Sequence, residues 1–153
     1  MQVTRREFMV LLGAIGLSTR RVLAGSEGLA VIVHPKLDVS RLSDLELEAI
    51  YLTERRFWSG NKPIVPFNLA ARSEARISFD SAVLRMDPDT IARYWRDRRV
   101  RSGSPPPRQA PDPLTVVRLV ANLEGAIGYA PESLASREVR VVARVKDGKV
   151  QAP

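Results

Sequence analysis

Two short apolar runs constrain the fold of this chain more than any other feature. The first, GLAVIVHP, covers residues 28–35 and stays apolar up to His34-Pro35, and the second, AIGYA, covers residues 126–130. A run without polar alternation is typical of a strand buried on both faces, as in a parallel sheet. Because helical segments separate these strands along the chain, the sequence predicts an α/β layered domain.

Four segments have the spacing and end signals of helices. Ser40 or Ser43 can cap the first, and Ser43 stands at capping-box spacing from Glu46. A Pro in its first turn marks the start of the third. Gly125 is placed to end the fourth as a left-handed cap. The predicted helices cover residues 43–52, residues 73–84, the segment from Asp87-Pro88 to residue 101, and residues 114–124.

The remaining segments have the patterns of strands and loops. Residues 64–68, IVPFN, predict a second short strand, and residues 139–145 alternate like a strand with one face in solvent. Residues 54–63 are turn-rich, and residues 102–113 contain five prolines, which predicts an extended loop. Asp147-Gly148 predicts a turn.

Residues 1–24 have the three parts of an export signal. Arg5 and Arg6 give a charged start, residues 8–17 form a short apolar run, and Ala24 is a small residue at the expected cleavage site. The Arg-Arg-x-Phe pattern resembles the twin-arginine type. Because the apolar run is too short to span a bilayer, we expect no integral membrane span. We expect cleavage near Ala24, leaving a periplasmic or otherwise exported domain over residues 25–153.

The composition excludes several classes of function. The chain has 153 residues, of which 44% are hydrophobic, and this suits one globular domain. It has no cysteine, which excludes disulfide scaffolds, cysteine-ligated metals and thiol nucleophiles. The net charge is +7, but four basic residues and one acid lie in residues 1–24. The +4 that remains suits a small anion or an acidic partner better than nucleic acid.

One segment, NLAARSEAR at residues 68–76, has the features of an anion site. It joins the carboxyl end of a predicted strand to the start of a helix, where free N–H groups and the helix dipole attract anions. Ser73 can either cap the helix or turn its hydroxyl to a phosphate-like ligand, and Arg72 and Arg76 would supply positive charge. Asn68 ends the strand, where ligand sites of α/β folds gather. The alternative is a capped helix with two solvated arginines.

Other reactive residue types form no catalytic or metal pattern. His34 is the only histidine and has no second ligand nearby in the sequence. No pair of carboxylates stands out for acid–base work, so we expect a non-enzyme without a cofactor. Phe57 and Trp58 are expected in the core rather than on a ligand platform.

Residues 93–101, RYWRDRRVR, combine five arginines with two aromatic residues. Charge and stacking together are one way to bind nucleic acid. At helical spacing, however, Ile91, Tyr94 and Trp95 fall on one side together with Arg98. This favours buried aromatics and solvated arginines, and we expect no nucleic-acid partner.

The order of these pieces resembles the phosphate-binding subunits of ABC transporters, in the type 2 periplasmic binding-protein superfamily. That family has an Ile-Phe-Gly-x-Trp element after the first helix, a Ser-containing phosphate loop after a strand, and a late GAIGY strand. The counterparts, within about residues 29–130, are Ile50-Tyr51, Trp58, Ser73 and Gly125–Tyr129. The resemblance implies a single compact mixed-sheet α/β domain flanked by helices, like a truncated type 2 periplasmic binding protein.

The chain also departs from the family pattern. Full-length members have two lobes that close on the ligand, and the glycine-rich segment that supplies the first lobe's phosphate donors has no counterpart here. The family's R-S-x-G-S-G-T loop has Asn68 in place of its arginine and Arg72-Ser73-Glu74-Ala75 in place of Gly-Ser-Gly-Thr. Only Ser73 carries over. Loss of the glycines reduces close backbone approach to an anion, and Glu74 adds repulsion.

These observations support two functions of different class. The first is an exported, non-catalytic binding protein for a small oxyanion, by default phosphate, that serves an ABC-type transporter. The second is a binding-protein-like domain that has lost its ligand and acts as an envelope protein-interaction or sensing module.

Overall fold

The computed structural model describes residues 27–153, and the export signal expected at residues 1–24 lies outside the described residues. The helices and strands alternate for most of the chain, which confirms the predicted mixed-sheet α/β class. The strands are β1 (Leu29–Val33), β2 (Val65–Asn68), β3 (Arg108–Gln109), β4 (Ala126–Pro131), β5 (Arg140–Lys146) and β6 (Lys149–Gln151). The helices are α1 (Asp44–Tyr51), α2 (Glu74–Val83), α3 (Pro88–Ser102) and α4 (Pro113–Asn122).

These six strands form one sheet in the order β3-β2-β4-β1-β5-β6. β2 is parallel to both of its neighbours, whereas β1 is antiparallel to β4 on one side and to β5 on the other. All five residues of β1 are buried, so the predicted burial on both faces is confirmed. The expectation that β1 has parallel neighbours is wrong. Helices on both faces bury an antiparallel strand as fully as a parallel one, so an apolar run does not specify direction.

Two successive residues of β4 show how closely helices cover the two faces of the sheet. Side chains of neighbouring strand residues project to opposite faces. A Cβ at Gly128 would collide with Val116 and lie 3.3 Å from Val120, so α4 packs directly on that face. On the opposite face the ring of Tyr129 stacks on Phe79 of α2, with the ring centroids 3.9 Å apart. The core therefore occupies two layers, with β4 and β1 between them.

Local capping signals in the sequence set the starts of the helices. Ser43 Oγ accepts from Glu46 N–H at 3.3 Å and the Glu46 carboxylate accepts from Ser43 N–H at 2.9 Å, which confirms the capping box of α1. Asp87 caps α3, as its Asp-Pro sequence predicts. Asp112 and Pro113 start α4 in the same way, one residue earlier than predicted.

The end of α4 differs from the prediction. The helix stops at Asn122, and its C-cap is Leu123 in an extended conformation, so Gly125 does not cap it. Gly125 instead occupies the turn that leads into β4, with a φ of +92°. The left-handed backbone of Gly125 was predicted correctly, but the reason was not. The turn into β4 requires this conformation, and the end of α4 does not.

Gly125 also joins two distant parts of the chain. Its carbonyl oxygen accepts from Trp58 Nε1–H at 2.9 Å and from Val65 N–H at 3.0 Å. A Cβ at this position would collide with the carbonyl oxygen of Pro63. The loop before β2 therefore rests on the Gly125 backbone, and only a glycine leaves room for it.

Two short edge strands were missed. The proline-rich loop is extended as predicted, but within it β3 pairs with the end of β2, and Ala110 N–H donates to the Asn68 carbonyl at 2.7 Å. β6 forms a hairpin with β5 across the predicted Asp147-Gly148 turn, where both residues have positive φ.

Candidate functional site

The predicted anion segment lies where β2 ends and α2 begins. Ser73 is the N-cap of α2: its Oγ accepts from Arg76 N–H at 3.2 Å and donates to the Ala70 carbonyl at 2.8 Å. Of the two alternatives for this hydroxyl, the cap is the one observed. The cap satisfies one of the four N–H groups that a helix start leaves without an intrahelical acceptor.

Arg76 is a buried residue rather than a solvated one. Only 7% of its surface is exposed, and its Nε donates to Asp80 Oδ2 one turn further along α2. Its Nη1 donates to the Leu69 carbonyl at 3.0 Å. These bonds hold the guanidinium in one place under the β2–α2 connection. Arg72, by contrast, is exposed at the surface of that connection.

Asn68 is buried beside the aromatic stack of the core, with 4% of its surface exposed. Its Oδ1 accepts from the Tyr129 hydroxyl at 3.0 Å, and that hydroxyl accepts from Leu69 N–H at 3.3 Å. Burial raises the pKa of Tyr129 well above its ordinary value, so the hydroxyl stays protonated and keeps its proton for Asn68. The side-chain amide is thereby held in one orientation.

Asn68 and Arg76 each keep one nitrogen without a protein acceptor. Among the described residues, neither Asn68 Nδ2 nor Arg76 Nη2 donates a hydrogen bond to the chain. Neither nitrogen belongs to the fully buried polar atoms of the described residues that lack a partner. Both side chains are thus fixed by internal bonds, while each keeps one nitrogen that donates to no described residue.

These donors open into a cleft of ≈ 380 Å³. Its floor is formed by Asn68 and Arg76. Its walls come from α3 and from the proline-rich loop, and they are largely apolar: Pro88, Ile91, Ala92, Trp95, Pro106 and Pro107. The volume falls in the range of small-ligand sites. The cleft brings together two of the four predicted site residues, while Ser73 and Arg72 are not among its lining residues.

The walls of the cleft were not predicted from the sequence as part of a site. Ile91 and Trp95 were assigned to a core face of α3, and they are indeed mostly buried, at 6% and 8% exposure. A signal was present in the sequence, because an aromatic helix and a run of prolines follow the candidate segment. The pairing of β3 with β2 is what brings the proline-rich loop beside Asn68.

The electrostatics of the cleft floor are nearly balanced. Asp80 is 3% exposed, and its Oδ1 has no hydrogen-bond partner among the described residues. Burial raises the pKa of Asp80, and the Arg76 guanidinium opposes that shift without cancelling it. The positive charge of Arg76 is therefore largely offset by a carboxylate within the same ion pair.

The other chemistry-bearing residues have structural environments. His34 is buried, and its Nδ1 accepts from Lys36 N–H at 3.2 Å. In the described part of the chain no group of His, Cys, Asp or Glu residues is placed to hold a metal ion. Trp58 is in the core as expected, but that expectation is wrong for Phe57, which is 50% exposed.

The helical-face interpretation of the arginine-rich segment is confirmed. Ile91 and Trp95 are buried and Tyr94 is half-buried, whereas Arg93, Arg96, Arg99 and Arg101 are exposed. Arg98 bonds the Tyr94 hydroxyl and lies over its ring, so it belongs to the packed side of the helix.

Solved structures of phosphate-binding proteins share this architecture. A protein described as a phosphate ABC transporter substrate-binding protein from Clostridium perfringens, solved with bound phosphate, matches with a TM-score of 0.63 at 22% identity, over 76% of this chain and 44% of its own. An ABC-type phosphate transport receptor from Vibrio cholerae matches with a TM-score of 0.62 at 20% identity, over 76% and 45%. PstS from Borrelia burgdorferi gives 0.59 at 14% identity, over 76% and 46%. The chain has the fold of phosphate ABC transporter binding proteins.

This likeness confirms the resemblance found in the sequence at the level of the fold. The chain spans less than half the length of each of these three phosphate-binding proteins. No protein-family model and no curated protein matches the sequence. Within residues 27–153, no helix is both long enough and apolar enough to cross a membrane.

Proposed function

We propose that this chain is an exported, non-catalytic binding protein for a small oxyanion, with phosphate as the first anion to test. The observation that carries the proposal is a pair of donors, Asn68 Nδ2 and Arg76 Nη2, that have no acceptor within residues 27–153 and belong to residues lining a cleft at the carboxyl end of β2. Ligand sites in α/β folds gather at such strand ends. The fold shared with phosphate-binding proteins supports the same chemistry.

The internal bonds of the two donors favour binding. Arg76 is anchored by Asp80 and by the Leu69 carbonyl, and Asn68 by the Tyr129 hydroxyl. A side chain that is already ordered loses little further entropy when a ligand arrives, which saves about 0.5–1.5 kcal/mol for each. In this proposal Ser73 holds the first turn of α2 in place, and exposed Arg72 attracts anions towards the cleft.

A second candidate function is an envelope protein-interaction or sensing module that no longer binds the ancestral ligand. Two observations favour it. The chain spans less than half of each phosphate-binding protein it matches. Ser73 is the one residue carried over from the family's loop. Its hydroxyl donates to the Ala70 carbonyl and so has no proton left for a phosphate oxygen.

Isothermal titration of the purified protein with phosphate, and then with sulfate, at low salt separates the two candidates. The informative variant is Asn68→Asp, because it keeps the shape of the side chain and the bond to Tyr129 while placing a carboxylate at the cleft floor. A unit charge about 5 Å from the anion costs about 3 kcal/mol at an effective dielectric constant of 20, so binding should weaken about a hundredfold.

Asn122→Asp is the matched control, since Asn122 is exposed at the end of α4 and is absent from the cleft lining. Saturable heat with phosphate that Asn68→Asp abolishes and Asn122→Asp leaves intact supports the binding protein. The absence of heat with either anion supports the interaction module instead.

A further inference from the structure

We propose that the cleft selects a singly charged organic anion with an apolar or aromatic group over inorganic phosphate. The inference rests on the proposed function, because it assigns a ligand class to the same cleft. Two independent features carry it: the charge balance of the floor and the chemistry of the walls.

The floor is poorly suited to a doubly charged ligand. Among residues 27–153, Arg76 is the only cationic residue that lines the cleft, and it is ion-paired with Asp80, so the floor carries little net charge. An anion that bonds Arg76 Nη2 also experiences the Asp80 carboxylate across the guanidinium. Repulsion by that carboxylate grows in proportion to the charge of the ligand and offsets the attraction to Arg76. The second charge of phosphate therefore adds little net attraction, yet its desolvation still costs free energy.

The walls are suited to a group that phosphate lacks. Trp95 and Ile91 line the cleft from α3, and Pro106 and Pro107 line it from the proline-rich loop. Inorganic phosphate has no apolar surface to bury there. A ligand with a phenyl or branched aliphatic group buries that group against the walls while its carboxylate accepts from Asn68 and Arg76.

The size of the cleft agrees with this ligand class. At ≈ 380 Å³ it exceeds what a tetrahedral oxyanion fills, which would leave the apolar walls in contact with water. A carboxylate with one ring occupies both the floor and the walls.

Benzoate and inorganic phosphate are the probes, titrated at mildly alkaline pH, where benzoate carries one charge and inorganic phosphate carries two. The proteins are the wild-type chain and a Trp58→Phe variant, which leaves Trp95 as the only tryptophan, since the chain has two. We expect benzoate to bind at least about tenfold more tightly than phosphate. We also expect it to change the fluorescence of Trp95 with the same titration midpoint as the calorimetric signal.

Two variants test the two arguments separately. Asp80→Asn retains an oxygen for Arg76 and removes the charge, so it should raise phosphate affinity by a larger factor than benzoate affinity. Ile91→Ala shortens one wall, so it should weaken benzoate and leave phosphate unchanged. Ile77→Ala is its matched control, because Ile77 is 41% exposed and does not line the cleft. Circular dichroism shows whether each variant is folded. If Asp80→Asn does not fold, the effect of Ile91→Ala on benzoate and phosphate binding decides the ligand class by itself.

The outcomes separate this inference from the function on which it rests. Phosphate binding more tightly than benzoate would leave the oxyanion-binding function intact and overturn the ligand class. Benzoate binding that Asn68→Asp and Ile91→Ala leave unchanged would overturn it too, because the ligand would then occupy another place. If neither probe binds, the oxyanion-binding function itself fails.

Discussion

Replacing Gly125 with alanine tests how firmly the turn before β4 is held against the loop before β2. The new methyl group would meet the Pro63 carbonyl oxygen, and the φ of +92° is one that residues with a side chain rarely adopt. Pro63 cannot retreat easily, because it bridges to Phe57 within the same loop. The clash must therefore be relieved by moving Gly125 itself.

The expected cost has two parts. A left-handed backbone costs a residue with a Cβ about 1–2 kcal/mol. Moving the turn also weakens the two hydrogen bonds that Gly125 accepts, from Trp58 at 2.9 Å and Val65 at 3.0 Å, each with a net contribution of about 1 kcal/mol. Together they predict a loss of about 3–4 kcal/mol from the free energy of unfolding. Domains of this kind have about 5–15 kcal/mol in total.

Urea unfolding followed by tryptophan fluorescence and circular dichroism measures this loss. Gly103→Ala is the matched control, because Gly103 also has a positive φ, +67°, and a Cβ added to it would meet no atom within 4 Å. It should lose only the backbone part, about 1–2 kcal/mol. Equal losses for the two variants would refute the idea that close approach to Pro63 requires the glycine.

Three further predictions concern α4, α1 and the buried ion pair. Gly128→Ala should destabilise the fold by about 1–3 kcal/mol through overpacking against α4, and the loss should shrink when Val116→Ala is added; additive losses in the double-mutant cycle would contradict the packing described. Ser43→Ala should cost about 1 kcal/mol in urea unfolding by removing the cap of α1, and an unchanged midpoint would show that the capping box contributes nothing. Because burial raises the pKa of Asp80 above its ordinary value of 3.8, the folded state holds that proton more tightly than the unfolded state. The excess stability of the wild-type protein over Asp80→Asn should therefore be largest below pH 3.8 and decline as the pH rises above it; a difference that grows with pH across unfolding curves would reverse the sign argued here.

The features that could be predicted from the sequence are those determined by contacts between residues close together in the chain. The capping box at Ser43, the Asp-Pro start of α3 and the turn at Asp147-Gly148 depend on contacts within a few residues. Each such signal strongly favours one local backbone conformation. These elements were consequently placed close to where the structure has them.

The features that escaped prediction depend on residues far apart in the chain. The apolar pattern of β1 is the same whichever way its neighbours run, so its antiparallel pairing was missed. β3 has only two residues, and it exists because the end of β2 lies beside it. The cleft has its floor at Asn68 and Arg76 and its walls on α3 and the proline-rich loop, and no local sequence pattern relates these segments.

Within the candidate segment, the positions of Asn68 and Arg76 were easier to predict than the environments of their side chains. Asn68 and Arg76 were selected because they flank a strand end and a helix start. The Arg76–Asp80 ion pair follows the ordinary i, i+4 spacing of helices, so that contact was visible in the sequence. Its burial was not, because it depends on how α2 packs against the sheet.

The position of β1 has a consequence for the synthesis of this protein. Among the described residues β1 is the first strand to be synthesised, yet its two partners, β4 and β5, follow only after β2, β3 and the helices α1 to α4. The nascent chain must therefore carry an exposed LAVIV segment until β4 and β5 have been made. A truncated product that ends before Arg140 would keep one edge of that segment unpaired. Such an edge recruits other chains, so premature stop codons should yield aggregates rather than a smaller soluble domain.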